Sequence, residues 1–401
     1  MTISGDPEFI ALPFYTKSTV FVTTRKALFR ALGLIAGTSG ACRLGNGHRI
    51  SAESVIDWRH CRVRQQLLLK CFNVPSIDAG RPVRSARYPI TRRRALHALA
   101  ASAIATTMPA PNAQQPLARP AALIQRRIPK SKSGDSLPVV GIGTYQTFDV
   151  GTNATHAAER TELKQVLLDF AAAGGTVLDS SPMYGEAERV VSDLTHELGN
   201  REKYFFATKV WISGQQAGVR QMEQSLKLMR SARLDLMQIH NLLDLDVHTR
   251  TLRDWKASGK IRYMGITHYH AGAHAELEKL IKTNTYDTVQ FNYSMVEREA
   301  EARLLPACAD AGVAVIINRP FAQANLFGRV KGKPLPTWCA DFDCDSWAQF
   351  FLKYLLGHPA VTCVIPGTRR VAHLADNLRA GTGRLPDAAQ RKRMLEVFQS
   401  L

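Results

Sequence analysis

From about residue 137 to the end of the chain, apolar runs of four to eight residues alternate with longer stretches in which apolar positions recur every three or four residues. The short runs read as strands: LPVVGIGT, GTVLDSS, YFFATKV, LDLMQIH, RYMGITHY, TVQFNY, VAVIINR and VTCVIPG. The stretches between them predict helices: ERTELKQVLLDFAAAG, AERVVSDLTHELG, VRQMEQSLKLMR, HTRTLRDWKASGK, AHAELEKLIKT, EREAEARLLPACADAG, SWAQFFLKYLLGH and RVAHLADNLRAG. Several end in glycine where a helix C-cap is expected, as at Gly174, Gly259 and Gly312. Strand then helix, repeated eight times in about 260 residues, predicts an α/β fold, a (β/α)8 TIM barrel. The competing doubly wound sheet wants a GxGxxG turn after its first strand, and Gly141-Ile142-Gly143-Thr144 is not followed by that spacing.

Residues 1–120 lack this periodicity and are rich in Arg, Ala and Pro. They predict a largely disordered basic extension over 1–85, a signal or linker over 86–120, and the barrel over 121–401. Within the second segment, ITRRRALHALAASAIATTMPAPNAQQP has the charge, apolar and small-residue order of an export signal. With Thr91-Arg92-Arg93 leading into Leu96, it resembles a twin-arginine signal, which implies the periplasm or cell envelope. Its position argues the other way. It begins near residue 85, and no Met lies between Met1 and Met108, so a later start needs a non-AUG codon. A linker in a cytoplasmic protein is the alternative, and both readings stay open. A weaker echo, TTRKALFRALGLIAGTSGA, occupies 23–41. The apolar core is too short and Ala-rich to span a bilayer.

Charge follows the same division. The chain of 401 residues carries a formal +18, but residues 1–131 hold 20 Lys and Arg against 5 Asp and Glu, so +15 lies there. The remainder is close to neutral, which argues against nucleic-acid binding by the folded part. The seven cysteines (Cys42, Cys61, Cys71, Cys308, Cys339, Cys344 and Cys363) are odd in number and include no CxxC pair or zinc-like spacing. They read as buried or incidental thiols, although Cys339 and Cys344 could approach one another in a loop. No metal site is indicated.

The C-terminal ends of barrel strands form the rim on which active sites are built. Reading only those ends gives Thr144-Tyr145, Asp179, Lys209, His240-Asn241, Thr267-His268, Gln290, Asn318-Arg319 and Gly367-Thr368-Arg369, with Tyr184 just past Asp179. Each has an ordinary explanation alone: a helix cap, an ion pair, a structural histidine. Together, a proton donor, a cation, a carboxylate and an imidazole on one rim describe a site for reducing a carbonyl.

The motifs GIGTYQ, VLDSSPMYGEAE, ATKVW, LDLMQIHN, GKIRYMGITHY, VQFNYS, INRPF and IPGTRRVAHLADNLRA occur in this order over 137–401. That region resembles the aldo-keto reductases. The resemblance implies NADPH-dependent reduction of an aldehyde or ketone, with Tyr184 as general acid, Asp179 and Lys209 supporting it, and His240 orienting the carbonyl. A phenol is a weak acid at neutral pH unless its anion is stabilised. Lys209, held charged by Asp179, is expected to supply that field and lower the phenol's pKa, each unit being worth about 1.4 kcal/mol.

The resemblance also implies an extended NADP(H) across the rim. Thr267 and Gln290 match positions that hold the nicotinamide carboxamide, and Thr144, Tyr145 and Asp179 fall in the cofactor-binding set. Gly367, Thr368 and Arg369 match the segment around the adenosine 2′-phosphate, with Asn377 on the adenine side. A cation and backbone N–H groups at a helix start suit a phosphate. Met183 and Trp211 are the expected substrate-pocket walls, with Phe327 and Trp338 as further apolar candidates, and the chain's short tail predicts an open site.

Two departures stand out. Many relatives have Ser-Asn where this chain has Thr267-His268, and an aromatic residue where it has Asn318. Arg319, beside it, reads equally as a pyrophosphate contact or an ion-paired rim residue. These changes point to a divergent bacterial branch. A catalytically silent NADP(H)-binding barrel that regulates a partner, and a dehydrogenase of alcohols or sugars, are the competing functions. The expected partner is a small-molecule carbonyl compound.

Overall fold

In the computed structural model the described residues are 122–401, together with two short strands, Cys42–Arg43 and Arg49–Ile50, that pair antiparallel. The chain divides into two units, Met1–Thr106 and Thr107–Leu401, and the second carries everything that follows. The basic extension and the signal-like segment expected over 1–120 lie outside the described residues.

Eight parallel strands run in chain order around the sheet. They are β1 (Ile142–Gly143), β2 (Val177–Asp179), β3 (Phe205–Val210), β4 (Leu234–His240), β5 (Ile261–Thr267), β6 (Thr288–Asn292), β7 (Ala314–Asn318) and β8 (Val361–Val364). The first and last strands meet through a parallel bridge between Val140 and Val364, where Gly141 N donates to the Val364 carbonyl at 2.8 Å. The sheet therefore closes as a barrel. Helices follow the strands as α1 (Ala157–Ala172), α2 (Ala187–Glu197), α3 (Gln215–Leu228), α4 (Leu245–Ala257), α5 (His274–Ile281) and α6 (Leu304–Asp310). A short α7 (Asn325–Val330) precedes α8 (Trp347–Leu356), then α9 (Val371–Arg379) and α10 (Ala388–Ser400).

The strands are apolar on both faces because both are covered, as parallel sheets require. All six residues of β3 and all five of β6 are buried. Inward side chains form one cluster, including Val177, Ala207, Leu236, Ile316 and Cys363, while outward ones pack beneath the helices in a second. Space inside is tight at β1. A Cβ on Gly143 would stand 2.8 Å from the Ile365 carbonyl oxygen, so only glycine fits there. Gly174, Gly259 and Gly312 adopt left-handed φ of +83°, +78° and +58° at helix ends, as their positions predict.

Three local expectations change. LPVVGIGT is not one strand: Ser136–Pro138 pairs back antiparallel on Gln125–Arg127, and the barrel takes only the Val140 bridge and the strand Ile142–Gly143. Proline has no N–H for a central ladder, so Pro138 suits this hairpin edge. Ile128 and Leu137 of the hairpin plug the barrel floor, and the Arg126 guanidinium donates to the Val361, Leu356 and His358 carbonyls. EREAEARLLPACADAG begins its α-helix only at Leu304, since the Pro306 ring would clash with the carbonyl four residues earlier in a longer helix. A helix absent from the expected set follows the last barrel helix: Asp387 and Gln390 form a capping box that starts α10. Arg391 of α10 then donates to Glu301, Tyr293 and the Tyr354 carbonyl, fixing that helix to the barrel.

Cys308, Cys339, Cys344 and Cys363 are buried free thiols. Cys339 and Cys344 do approach, the Cys344 N–H donating to the Cys339 carbonyl at 3.1 Å. Cys42, Cys61 and Cys71 fall outside the residues whose side chains are described. Among the described residues, no helix is long and apolar enough to cross a membrane.

Candidate active site

Strand pairing places the polar rim residues beside one another. Lys209 is the register partner of Gln238, and His240 of Thr267, which is in turn the partner of Gln290. Asp179, at the end of β2, and Lys209, near the end of β3, point inward and meet. Lys209 Nζ donates to Asp179 Oδ2 at 2.6 Å and to the Ser180 carbonyl at 2.7 Å. Both side chains are buried, so the pair is not screened by solvent.

Tyr184 lies in the turn between β2 and α2, its N–H held by the Ser181 carbonyl at 3.0 Å. Its ring centroid is 4.9 Å from Lys209 Nζ, and His240 stands edge-on to it at 6.3 Å. The four residues singled out in the sequence do converge.

Their titration behaviour partly departs from expectation. Burial pushes the Tyr184 phenol above its ordinary value, Lys209 pulls it down, and Asp179 and Tyr145 push it up. Desolvation wins, so the phenol is not the lowered acid that the lysine alone would make. Burial pulls the Lys209 ammonium down, but Asp179 and Tyr184 outweigh it and raise it overall, which keeps it charged. His240 is pushed down to about 3 by burial, then by Lys209 and His268. Its imidazole is therefore neutral at neutral pH, and one nitrogen, Nδ1, lies 3.4 Å from Ser181 Oγ.

Behind the ion pair is an amide network. Asp179 Oδ1 accepts from Gln290 Nε2 at 2.9 Å and from Gln238 Nε2 at 3.2 Å. Gln290 Oε1 accepts from Thr267 Oγ1 at 3.1 Å and Asn318 Nδ2 at 3.4 Å. The residues expected around a carboxamide are thus wired to Asp179. Asn318 Oδ1 is buried there without a partner.

The other expected residues fall as follows. Thr144 is fully buried and donates to Ser180 Oγ at 3.0 Å, tying β1 to β2. Tyr145 is exposed, its ring 5.0 Å from that of Tyr184. The Trp211 ring stands 5.7 Å from that of His240, the Trp211 backbone N–H donating to Gln221 Oε1 at 2.7 Å, and Met183 is exposed on the rim. Phe327 is also exposed on α7, whereas Trp338 packs against the outer core. Arg319 takes the ion-paired arrangement, 3.7 Å from Glu297 and donating to the Tyr269 carbonyl at 2.9 Å. Thr368 and Asn377 are buried, while Gly367, Arg369 and Arg370 are exposed before α9, which begins at Val371. Neither Arg369 nor Arg370 has an ion pair among the described residues.

Sequence reasoning missed Gln238, although its spacing of two from His240 puts both on one face of β4. It also missed the β7–α7 loop, where Ala322, Gln323 and Ala324 have φ of +47°, +57° and +69°. Non-glycine residues held left-handed cost about 1–2 kcal/mol each, and such strain gathers at functional rims.

Comparison with known proteins gives the family and the fold of this region. Residues 139–392 match the model of the Aldo/keto reductase family. A protein named methylglyoxal reductase YeaE, from Escherichia coli strain K12, is 31% identical over 253 residues, 61% of this chain and 86% of that protein. Aldo-keto reductase str7 of Strobilurus tenacellus is 25% identical over 312 residues, 66% of this chain and 91% of that protein. Among solved structures, an aldo-keto reductase from Klebsiella pneumoniae, in complex with NADPH, superposes with a TM-score of 0.55 at 23% identity. That match covers 69% of this chain and 96% of the other.

Proposed function

This chain belongs to the aldo/keto reductase family, and from that premise we propose that it reduces an aldehyde or ketone to an alcohol using NADPH, with Tyr184 as proton donor. The observation that carries the reading is the buried Lys209–Asp179 pair set against Tyr184, with a neutral His240 alongside.

When bound, NADPH would supply a hydride to the carbonyl carbon. Charge then develops on the carbonyl oxygen, and Tyr184 gives that oxygen its proton. Burial keeps the phenol protonated at neutral pH, which is the form an acid must have. The phenolate left behind faces the Lys209 ammonium, whose field lowers the cost of forming it. His240, pushed down to about 3, is no proton source at neutral pH. It orients the oxygen through its ring N–H instead. Tyr145, Trp211 and Met183 flank the position with apolar surface.

The rim suits NADP(H). The unpartnered Asn318 Oδ1, beside Thr267 and Gln290, is an acceptor for a carboxamide N–H. Arg369 and Arg370, exposed beside Gly367 and Thr368, offer cations to a 2′-phosphate. Thr267, Gln290 and Asn318 would hold the nicotinamide end. Gly367, Thr368, Arg369 and Asn377 would hold the adenosine end, with Thr144, Tyr145 and Arg319 between. The similarity to a protein named methylglyoxal reductase supports small reactive aldehydes as first substrates.

The test is NADPH oxidation by the purified protein with methylglyoxal and with a reactive aromatic aldehyde. Turnover with either is the expected result. NADPH binding without turnover across a panel of aldehydes and ketones would instead indicate a binding barrel.

A further inference from the structure

The Asp179 carboxylate has two ends with different work. Oδ2 faces Lys209 at 2.6 Å. Oδ1 faces away and is met by two neutral amides, from Gln290 at 2.9 Å and Gln238 at 3.2 Å. Two cations on one carboxylate would share its charge. Two neutral amides take part of the charge at the far oxygen and fix the carboxylate's orientation without setting a second cation beside Lys209.

Gln290 has a second duty toward Thr267 and Asn318. Gln238 does not. It is fully buried, and its Oε1 has no partner. A buried carbonyl oxygen without a donor is costly, so what recommends a glutamine here is its other end. Its N–H is spent on Asp179.

The surroundings are shaped to admit it. Gln238 is the register partner of Lys209 on one side and of Gly265 on the other. A Cβ on Gly265 would stand 2.1 Å from Thr288 Oγ1 and 3.3 Å from Gln238 Cγ, so the glycine leaves room for the Thr288 hydroxyl and relieves the Gln238 stem.

We propose that Gln238 is a positioning residue for the reductase reading given above: its side-chain amide, donating to Oδ1 of Asp179, keeps the Asp179–Lys209 pair aimed at the Tyr184 hydroxyl. It touches neither substrate nor cofactor and acts through Asp179. The ionisable groups around this chain of contacts are Asp179 on β2, Tyr184 in the turn after it, Glu188 on α2, Lys209 on β3, His240 on β4, His268 after β5, Cys363 on β8 and Tyr145 after β1. Without the amide, more of the carboxylate's charge falls on Lys209, the ammonium's field at Tyr184 weakens, and the phenol becomes a poorer acid.

The experiment compares full-length wild type with Gln238→Met, which keeps the volume and removes the donor, and Gln238→Glu, which restores a donor only when protonated. NADPH affinity, the unfolding midpoint and the pH dependence of kcat and KM are measured for each. Gln238→Met is expected to fold and bind NADPH like wild type, to lose roughly tenfold in kcat with little change in KM, and to move the alkaline limb upward in pH. Gln238→Glu is expected to approach wild-type kcat at low pH and lose it as the new carboxyl ionises.

A folded Gln238→Met protein with wild-type kcat and pH profile would overturn the proposal. So would loss of folding or NADPH binding in both variants, which would make Gln238 a packing residue. A wild-type protein with no turnover on any carbonyl would overturn the reductase reading itself, and this inference with it.

Discussion

Lys209 Nζ and Asp179 Oδ2 lie 2.6 Å apart with both side chains buried, and the ammonium also donates to the Ser180 carbonyl. The pair is not a surface ornament, since removing one partner of a buried pair strands the other's charge. Lys209→Met should therefore cost about 3–5 kcal/mol of stability and abolish turnover. Thermal unfolding checks the first effect and NADPH oxidation the second. An unfolding midpoint equal to wild type would mean that the pair is far better solvated than it stands here.

Acid should weaken the fold through two histidines. His240 is pushed from its ordinary 6.5 down to about 3, and His268 down to about 4, in each case mainly by burial. Between about pH 6.5 and 4 the unfolded chain binds protons at these positions that the folded chain does not. Stability therefore rises with pH across this window and falls as pH drops. His240→Gln should flatten that dependence, read as unfolding midpoint against pH. An unchanged slope would contradict a buried, neutral His240.

Arg369 is expected to select NADPH over NADH. Arg369→Ala should weaken NADPH binding about 10- to 100-fold, the worth of a charged hydrogen bond, and leave NADH binding nearly unchanged. Fluorescence titration of both cofactors measures this. Equal losses for the two would remove Arg369 from the 2′-phosphate.

Much of the fold and site is legible from strand ends alone. Asp179, Lys209 and His240 each close an apolar run, and a parallel barrel must bring such ends to one rim. What sequence does not announce is how rim residues spend their hydrogen bonds. Gln290 matches a cofactor position, yet its N–H goes to Asp179, a choice set by register between β2 and β6, which are not neighbours. The Tyr184 phenol is raised rather than lowered because desolvation depends on packing from several elements at once. The hairpin at Leu137 and Pro138 hid within an apolar run because Leu137 faces the barrel interior as a strand residue would. By contrast, the start of α10 was readable in Asp387 and Gln390, an Asp followed three residues later by Gln.

The segment over 86–120 yields a prediction of its own. If it acts as a twin-arginine signal, the native mature chain begins beyond Met108 and is found in the cell envelope. Amino-terminal sequencing of the native protein checks this. An intact Met1 in a cytoplasmic fraction would favour the linker.

The most direct measurement of the central claim is single-turnover NADPH oxidation by wild type and Tyr184→Phe, each saturated with cofactor and aldehyde. The substitution removes one hydroxyl beside Lys209 and leaves the ring against His240 and Tyr145. Hydride transfer should slow roughly 10²- to 10⁴-fold while NADPH affinity stays within a few-fold of wild type. A Tyr184→Phe protein that transfers hydride at the wild-type rate would contradict Tyr184 as the proton donor.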